Sequence, residues 1–466
     1  MNHDEYMSYD AVGLAELIRK GECTAQELTE IAIALSERIN PILNALAYTD
    51  YDRARERVDT IDPESVFCGV PSFLKDNENV EGLPTRQGSH SMPPTLLDHD
   101  SHFVKQYMST GLNYLGKTTL PEFGLTCITE SSLCGNTLNP WNLAHTPGGS
   151  SGGTSAMVAA GVVPMAQGND GGGSIRIPAS CCNLIGLKPS RGRLHHAEGT
   201  DKMPINLVCE GVLTRSVRDT ATFFSAAEKH LCNPNLPALG LVNSPGTKRL
   251  RIAMFTKSPA GDESQADVMA ATEHAAKLCE NLGHTVEAIE TPFDNGRTDD
   301  FLRYWGAIPY ILSWIGKREF GSDFDSSKFD PWTGGLARHG RKNLWRLPFI
   351  LPKLKQFCHE YSLLFEQYDI LLCPVLTEPP LKIGELAPDL PYESQLSRVM
   401  PYCPFTPFQN LAGTPAISLP LGRSQSGLPI GIQFAANMGM EKMLLELAFE
   451  LEEANAWDTT PAIVPV

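Results

Sequence analysis

The chain has no run approaching the roughly 18–20 apolar residues that a membrane helix needs, and its start, MNHDEYMSYD, carries neither a basic nor an apolar export segment. The expectation is a cytoplasmic protein with no membrane partner. Positive charge is scarce as well. Thirty-eight Lys and Arg face 54 Asp and Glu, a formal charge of −16 whose field repels phosphate backbones, so nucleic acid is not expected as a partner. Cysteine is too thin for a disulfide framework, with 12 in 466 residues, and free thiols are expected. No Cys-x-x-Cys pair or His-Glu-x-x-His occurs, and the adjacent Cys181 and Cys182 would not both face one ion from a regular helix. No metal site is expected. Internal repeats are missing too, which argues against solenoids and propellers.

What is present is the composition of a folded protein. The hydrophobic fraction of 42% and charged fraction of 20% exclude long disordered or fibrous regions, and the length suits about three ordinary domains or one large α/β unit. Thr24 and Glu27 form a capping-box pattern, and Leu28, Ile31, Ala32, Leu35 and Ile39 follow at helical spacing, with Asn40-Pro41 expected to end that helix. Apolar runs at 67–74 and around Tyr114 and Leu115 read as buried strands. From 147 to 193 glycines and small residues crowd into a helix at 154–160, a strand at 162–166, a turn at 168–173 and a second short helix from about Ser174. A connector at 232–248 leads to a strand at 250–255, a helix at about 264–282 and a strand after Gly283, an order that implies parallel pairing. The stretch 300–365 is helical and holds Trp305, Trp314, Trp332 and Trp345; strands at 370–373 and 415–419 and a helix at 441–453 complete the pattern.

Three segments carry chemistry. Gly148-Gly149-Ser150-Ser151-Gly152 fits the Gly-x-Ser-x-Gly pattern of a nucleophile elbow, but an elbow needs an apolar strand before its serine, and residues 142–147 read as loop. Asn169-Asp170-Gly171-Gly172-Gly173-Ser174 offers several backbone N–H groups unhindered by side chains, followed by a hydroxyl at a helix start. Those are the parts of an oxyanion hole, and also of a plain tight turn. Lys75 ends an apolar run and precedes Asp76. Burial can lower such a lysine from about 10.4 until it is a usable base near neutrality, although a lysine in this position more often snorkels and pairs with a neighbour such as Asp76.

Lys75 in Gly-Val-Pro-x-x-x-Lys-Asp, Gly-Gly-Ser-Ser-Gly-Gly at 148–153 and Asp-x-Gly-Gly-Ser-Ile-Arg-x-Pro-Ala at 170–179 together resemble the amidase signature family. Further matches at 116–118, 139–142, 186–189, 214–217 and 413–420 extend the resemblance over nearly the whole chain. It implies one α/β domain over 1–466, a large mixed twisted β-sheet flanked by α-helices on both faces, with core motifs at 69–193 and an aromatic helical substrate region at about 300–365. It also implies a cofactor-independent amidase with a Ser-cisSer-Lys triad of Ser174 as nucleophile, Ser150 as relay behind a cis peptide from Gly149, and Lys75 as general base. The N–H groups of Gly171, Gly172, Gly173 and Ser174 would form the oxyanion hole, supported by Ser151, Asp170 and Arg176.

Asn169 and Gly171 depart from the usual family pattern and are similar to the 6-aminohexanoate cyclic-dimer hydrolase branch, and Gly171 is expected to enlarge the pocket. The expected partner is a small-molecule amide, with a homodimer left open. The alternative function is that of the A subunit of a tRNA-dependent amidotransferase, releasing ammonia from glutamine. Acyl selection is expected from 300–350 and the loop 123–129, so that Trp332→Ala changes acyl preference more than stability.

Overall fold

The computed structural model describes residues 1–458; the last part of the expected 1–466 unit, 459–466, lies outside the described residues. Helix Ala25–Leu43 starts as the sequence implies. Thr24 Oγ1 accepts from the Glu27 N–H at 3.1 Å while the Glu27 carboxylate accepts from the Thr24 N–H at 2.8 Å. It does not stop at Asn40-Pro41. Pro41 lies on the exposed side of the helix, where a missing N–H costs less than it would in the core. Asn40 Oδ1 then accepts from the N–H groups of Ala45 and Leu46, which carries the helix to Leu43 and a left-handed cap at Asn44.

Eleven strands form the two sheets that matter here. A small sheet has β1 (Leu46–Thr49), β2 (Pro71–Lys75) and β3 (Asn113–Thr118) in the order β1-β3-β2, with β2 and β3 parallel. The large sheet contains β4 (Met165–Asp170), β5 (Ile185–Lys188), β6 (Cys209–Thr214), β7 (Arg251–Met254), β8 (Thr285–Ala288), β9 (Ile370–Pro374), β10 (Ala416–Arg423) and β11 (Pro429–Ala435). Its order is β8-β7-β9-β11-β10-β5-β6-β4. The pairs β8–β7 and β7–β9 are parallel and the rest antiparallel, so the sheet is mixed. The parallel pairing expected around 250–288 is present, formed across helix Ala266–Asn281. Helices Gly152–Ala159 and Arg176–Cys181 pack on one face, and Val217–His230, Ala266–Asn281 and Glu441–Ala454 on the other.

Two strands depart from the hydrophobic pattern. The strand expected at 162–166 lies at Met165–Asp170, because Gly161 turns the chain with φ 74° and the polar residues Gln167, Asn169 and Asp170 enter the sheet with buried partners. The strand Pro429–Ala435 is interrupted in pattern by Gly431 and Gln433, the latter accepting from Arg176 at 2.6 Å.

The stretch 300–365 is helical as read, made of Asn295–Phe320, Pro331–Asn343 and Leu347–Gln367. It is anchored to the sheet through a buried aromatic cluster that includes Phe255, Phe293, Phe357, Tyr361 and Phe408. The first two of these helices approach backbone to backbone at Gly306 and Gly340, where a Cβ on Gly340 would overlap the Gly306 carbonyl. Gly340→Ala is therefore expected to force the helices apart at a cost of about 1–3 kcal/mol. Gly334→Ala, whose Cβ meets only Arg338 of its own helix at 3.5 Å, is expected to be neutral or to stabilise by up to about 1 kcal/mol. Thermal unfolding of the two variants checks the contrast.

Candidate active site

Lys75 ends β2 and is wholly buried. Its register on β2 is fixed in part by its own N–H, which donates to Gln167 Oε1 on β4 at 2.7 Å. The Lys75 Nζ is hydrogen-bonded to Ser150 Oγ at 2.7 Å, Ser151 Oγ at 3.0 Å and Asn169 Oδ1 at 2.7 Å. Asp76 is not its partner; the adjacent side chain in an extended strand points to the other face, and Asp76 lies 3.5 Å from Lys117. Burial therefore acts on Lys75 without a contacting carboxylate. It pulls the lysine down to about 7, against the opposing pull of Glu210, Asp170 and Glu78.

Ser150 is reached from a loop, not from a strand, and precedes helix Gly152–Ala159; the Gly149–Ser150 peptide is cis. The serine segments are joined by the backbone, since Ser151 N–H donates to the Ser174 carbonyl at 3.3 Å. Thus Lys75, Ser150, Ser151 and Ser174 are gathered at one place from β2, one loop and the glycine loop that follows β4. Ser174 stands on the wall of a cleft.

Asp170 and Arg176 brace the glycine loop between them. Both are fully buried and paired at 2.9 Å, and Asp170 also accepts the N–H of Gly173 at 2.7 Å and of Ile175 at 3.2 Å. Arg176 donates further to Gln409, Gln433 and Asn410. Burial raises the Asp170 carboxyl, but Arg176 outweighs it and brings the group down to about 2. The Gly173 N–H is consequently committed to Asp170, which removes it from the donor set expected for a substrate oxygen. Gly171, Gly172 and Ser174 remain.

The cleft, its open mouth included, encloses about 790 Å³. The loop 124–127 and helix Asn295–Phe320 both line it, as read from the sequence, with Phe301, Trp305 and Trp332 among the aromatic walls and no charged side chain in the lining. Gly171 does not enlarge this space. The volume its missing side chain leaves is taken by the Trp305 indole, 3.2 Å from where a Cβ would stand. Trp314 and Trp345 are exposed and stand outside the cleft.

Some residues of the site were not singled out in the sequence. Gln167 lies just past the strand read at 162–166 and Glu210 in a strand, Cys209–Thr214, that was not read, and Asn410 donates to both the Asp170 carbonyl and its carboxylate from a distant helix, Pro407–Ala412. A pair of polar residues alternating along a buried strand, Gln167 and Asn169, was the one available signal.

Residues 27–445 match the model of a family described as Amidase. The chain is 46% identical to a protein of Mycobacterium leprae whose name, amidase AmiC, states no substrate, over 96% of this chain and 95% of that one. It is 34% identical to the 6-aminohexanoate-cyclic-dimer hydrolase of Paenarthrobacter ureafaciens, again over 96% and 95%. A solved 6-aminohexanoate cyclic dimer hydrolase in complex with substrate superposes with a TM-score of 0.90 at 30% identity, covering 98% of this chain and 99% of that one.

The two cleft tryptophans differ in what they support. Trp332 is buried, donates from Nε1 to the Leu125 carbonyl at 2.9 Å and packs on Tyr392, so Trp332→Ala is expected to lose about 3–5 kcal/mol of stability, contrary to the sequence expectation. Trp305 is half-buried, with a longer 3.3 Å bond to the same carbonyl. Trp305→Ala is expected to keep most of the stability and to change relative kcat/KM among acyl chain lengths. Unfolding curves and acyl-series kinetics on both variants check this.

Proposed function

The chain belongs to the amidase signature family of amide-hydrolysing enzymes, and from that premise we propose that it cleaves uncharged amides with a hydrophobic acyl part through an acyl-enzyme on Ser174. The observation that carries the reading is the 2.7 Å bond between a wholly buried Lys75 amine and Ser150 Oγ beside a cleft that Ser174 lines. A serine hydroxyl is a weak nucleophile until a base takes its proton. Lys75 as a free amine accepts the proton of Ser150, and Ser150 accepts that of Ser174 as Ser174 attacks the amide carbon. The oxyanion is received by the N–H groups of Gly171, Gly172 and Ser174, each such donor being worth about 3 kcal/mol in comparable sites. The relay runs backward to protonate the leaving amine, and water then attacks the ester with Ser150 and Lys75 again taking the proton.

The lining supports the substrate class. An acyl pocket of aromatic and aliphatic side chains without a charge desolvates a charged substrate group with nothing to pair it. Glutamine, the substrate of the alternative amidotransferase reading, carries both an ammonium and a carboxylate, and the lining offers neither a partner. Among 6-aminohexanoate oligomers, which the relatives' names suggest as substrates, the same argument favours the cyclic dimer over linear forms with charged ends.

Amine and ammonia release by the purified protein tests the proposal across hydrophobic acyl anilides, cyclic and linear 6-aminohexanoate oligomers, simple primary amides and glutamine. The expected order places hydrophobic anilides or the cyclic dimer at least about 100-fold above glutamine in kcat/KM, a difference of about 2.7 kcal/mol, with turnover abolished in Ser174→Ala. Glutamine as the best substrate, or activity retained in Ser174→Ala, would refute it. Because Lys75 acts only when deprotonated, kcat/KM is expected to rise with pH through about 7.

A further inference from the structure

Two buried carboxyls that this mechanism leaves unused, Glu78 and Glu210, stand beside Lys75. Glu210 lies on β6 directly opposite Asn169 on β4. Its Oε2 accepts from Gln167 Nε2 at 2.7 Å, and the Asn169 it faces is the residue whose Oδ1 accepts from Lys75 Nζ. Glu78 Oε2 accepts from Ser101 Oγ at 2.8 Å. The other oxygen of each carboxyl is buried, and neither Glu78 Oε1 nor Glu210 Oε1 receives an N–H or O–H from any other group among the described residues. The two side chains are instead within hydrogen-bonding reach of each other. Two carboxylates so placed, out of water, cannot both ionise, and one shared proton satisfies both orphaned oxygens at once.

The surroundings decide which carboxyl carries it. Burial raises the Glu78 carboxyl, with Glu198 adding to it, but the Ser101 hydroxyl and the Lys117 ammonium beside it favour its anion. Lys117 is itself held by the Pro84 carbonyl, Thr85 and the nearby Asp76. Burial pushes the Glu210 carboxyl well up and the Glu78 anion adds to it, while the amides of Gln167 and Asn169 and Lys75, whose own charge burial disfavours, oppose the shift without cancelling it. The remaining charge that Lys75 feels, Asp170, is locked as an anion by Arg176.

We propose that Glu78 and Glu210 share one proton, carried by Glu210, and that the pair positions the protonation equilibrium of Lys75 by keeping the nearer carboxyl neutral. An ionised Glu210 would hold the ammonium on Lys75 and leave an inert buried ion pair. The inference rests on the reading of Lys75 as the base.

The test is the acidic limb of kcat/KM against pH, measured with a hydrophobic acyl p-nitroanilide. In Glu78→Gln the repulsion on Glu210 is gone and an amide N–H faces it, so Glu210 ionises, Lys75 keeps its proton, and the limb moves up by about one pH unit or more. Activity at pH 7 then falls about fivefold or more and is recovered at higher pH, which a merely structural lesion would not do. Glu210→Gln mimics the protonated acid and leaves the limb at its wild-type position, whatever it does to kcat. A limb that stays put in Glu78→Gln, or moves down in either variant, overturns the proposal. Should Glu78→Gln fail to fold, difference infrared spectra decide between the states. A protonated-carboxyl stretch present in the wild type at neutral pH and absent from Glu210→Gln supports the shared proton, and its absence from the wild type overturns it. Lys75→Met separates the two levels of the argument. A wild-type limb persisting in its residual hydrolysis of an activated ester removes Lys75 as base and the pair's role with it, whereas a limb lost in Lys75→Met but unmoved in Glu78→Gln removes the pair's role alone.

Discussion

Burying the Lys75 amine where no carboxylate touches it is the constraint on which the rest of the site depends. An ammonium taken out of water costs several kcal/mol even after relaxation, and the three oxygens around this one, of Ser150, Ser151 and Asn169, are all neutral. The free amine avoids that cost: its two hydrogens go to Ser151 Oγ and Asn169 Oδ1, and its lone pair accepts from the Ser150 hydroxyl. Each acceptor then needs its own support. Asn169 is fixed in β4 opposite β6, and Ser151 is tied to the Ser174 carbonyl. The small sheet that carries Lys75 is locked to β4 by the bond from its own N–H to Gln167.

A second ion is handled in the opposite way a few residues along. Asp170 and Arg176 are also wholly buried, yet they stay charged because they meet directly and their remaining donors and acceptors find Gly173, Ile175, Gln409, Asn410 and Gln433. That pair holds the glycine loop rigid at the cost of one N–H that the loop would otherwise present to a ligand. Helix Asn295–Phe320 closes the loop from above with Trp305 over Gly171 and Phe301 near Gly172. Its approach depends in turn on the glycine contact with helix Pro331–Asn343. The site is thus a neutral polar relay set between a satisfied ion pair and an uncharged wall.

The sequence made the chemistry more legible than the packing. Lys75, Ser150 and Ser174, which the structure gathers in one place, were singled out from three spaced motifs, and the capping box at Thr24 located a helix start to the residue. Apolar runs located six of the eleven strands, misplaced Met165–Asp170, and left Leu46–Thr49, Ile185–Lys188, Cys209–Thr214 and Pro429–Ala435 unread, since a strand that is short or whose polar side chains are satisfied internally carries little hydrophobic signal. The partner of Lys75 was legible only as a choice between Asp76 and a serine, because local proximity cannot tell which face of a strand a neighbour occupies. Gly171 read as added space for a ligand, and only the tertiary position of Trp305 reveals what fills it. Glu78 and Glu210 lie 132 positions apart in sequence, and no local pattern connects them.

The central claim is that Lys75 is a free amine near neutral pH, and direct titration of its ζ nitrogen by NMR, on lysine-labelled protein with the signal assigned by its loss in Lys75→Arg, tests it most closely. The account predicts a midpoint at about 7. A midpoint near the ordinary lysine value of about 10.4 would mean that the buried group is an ammonium, and would contradict the account.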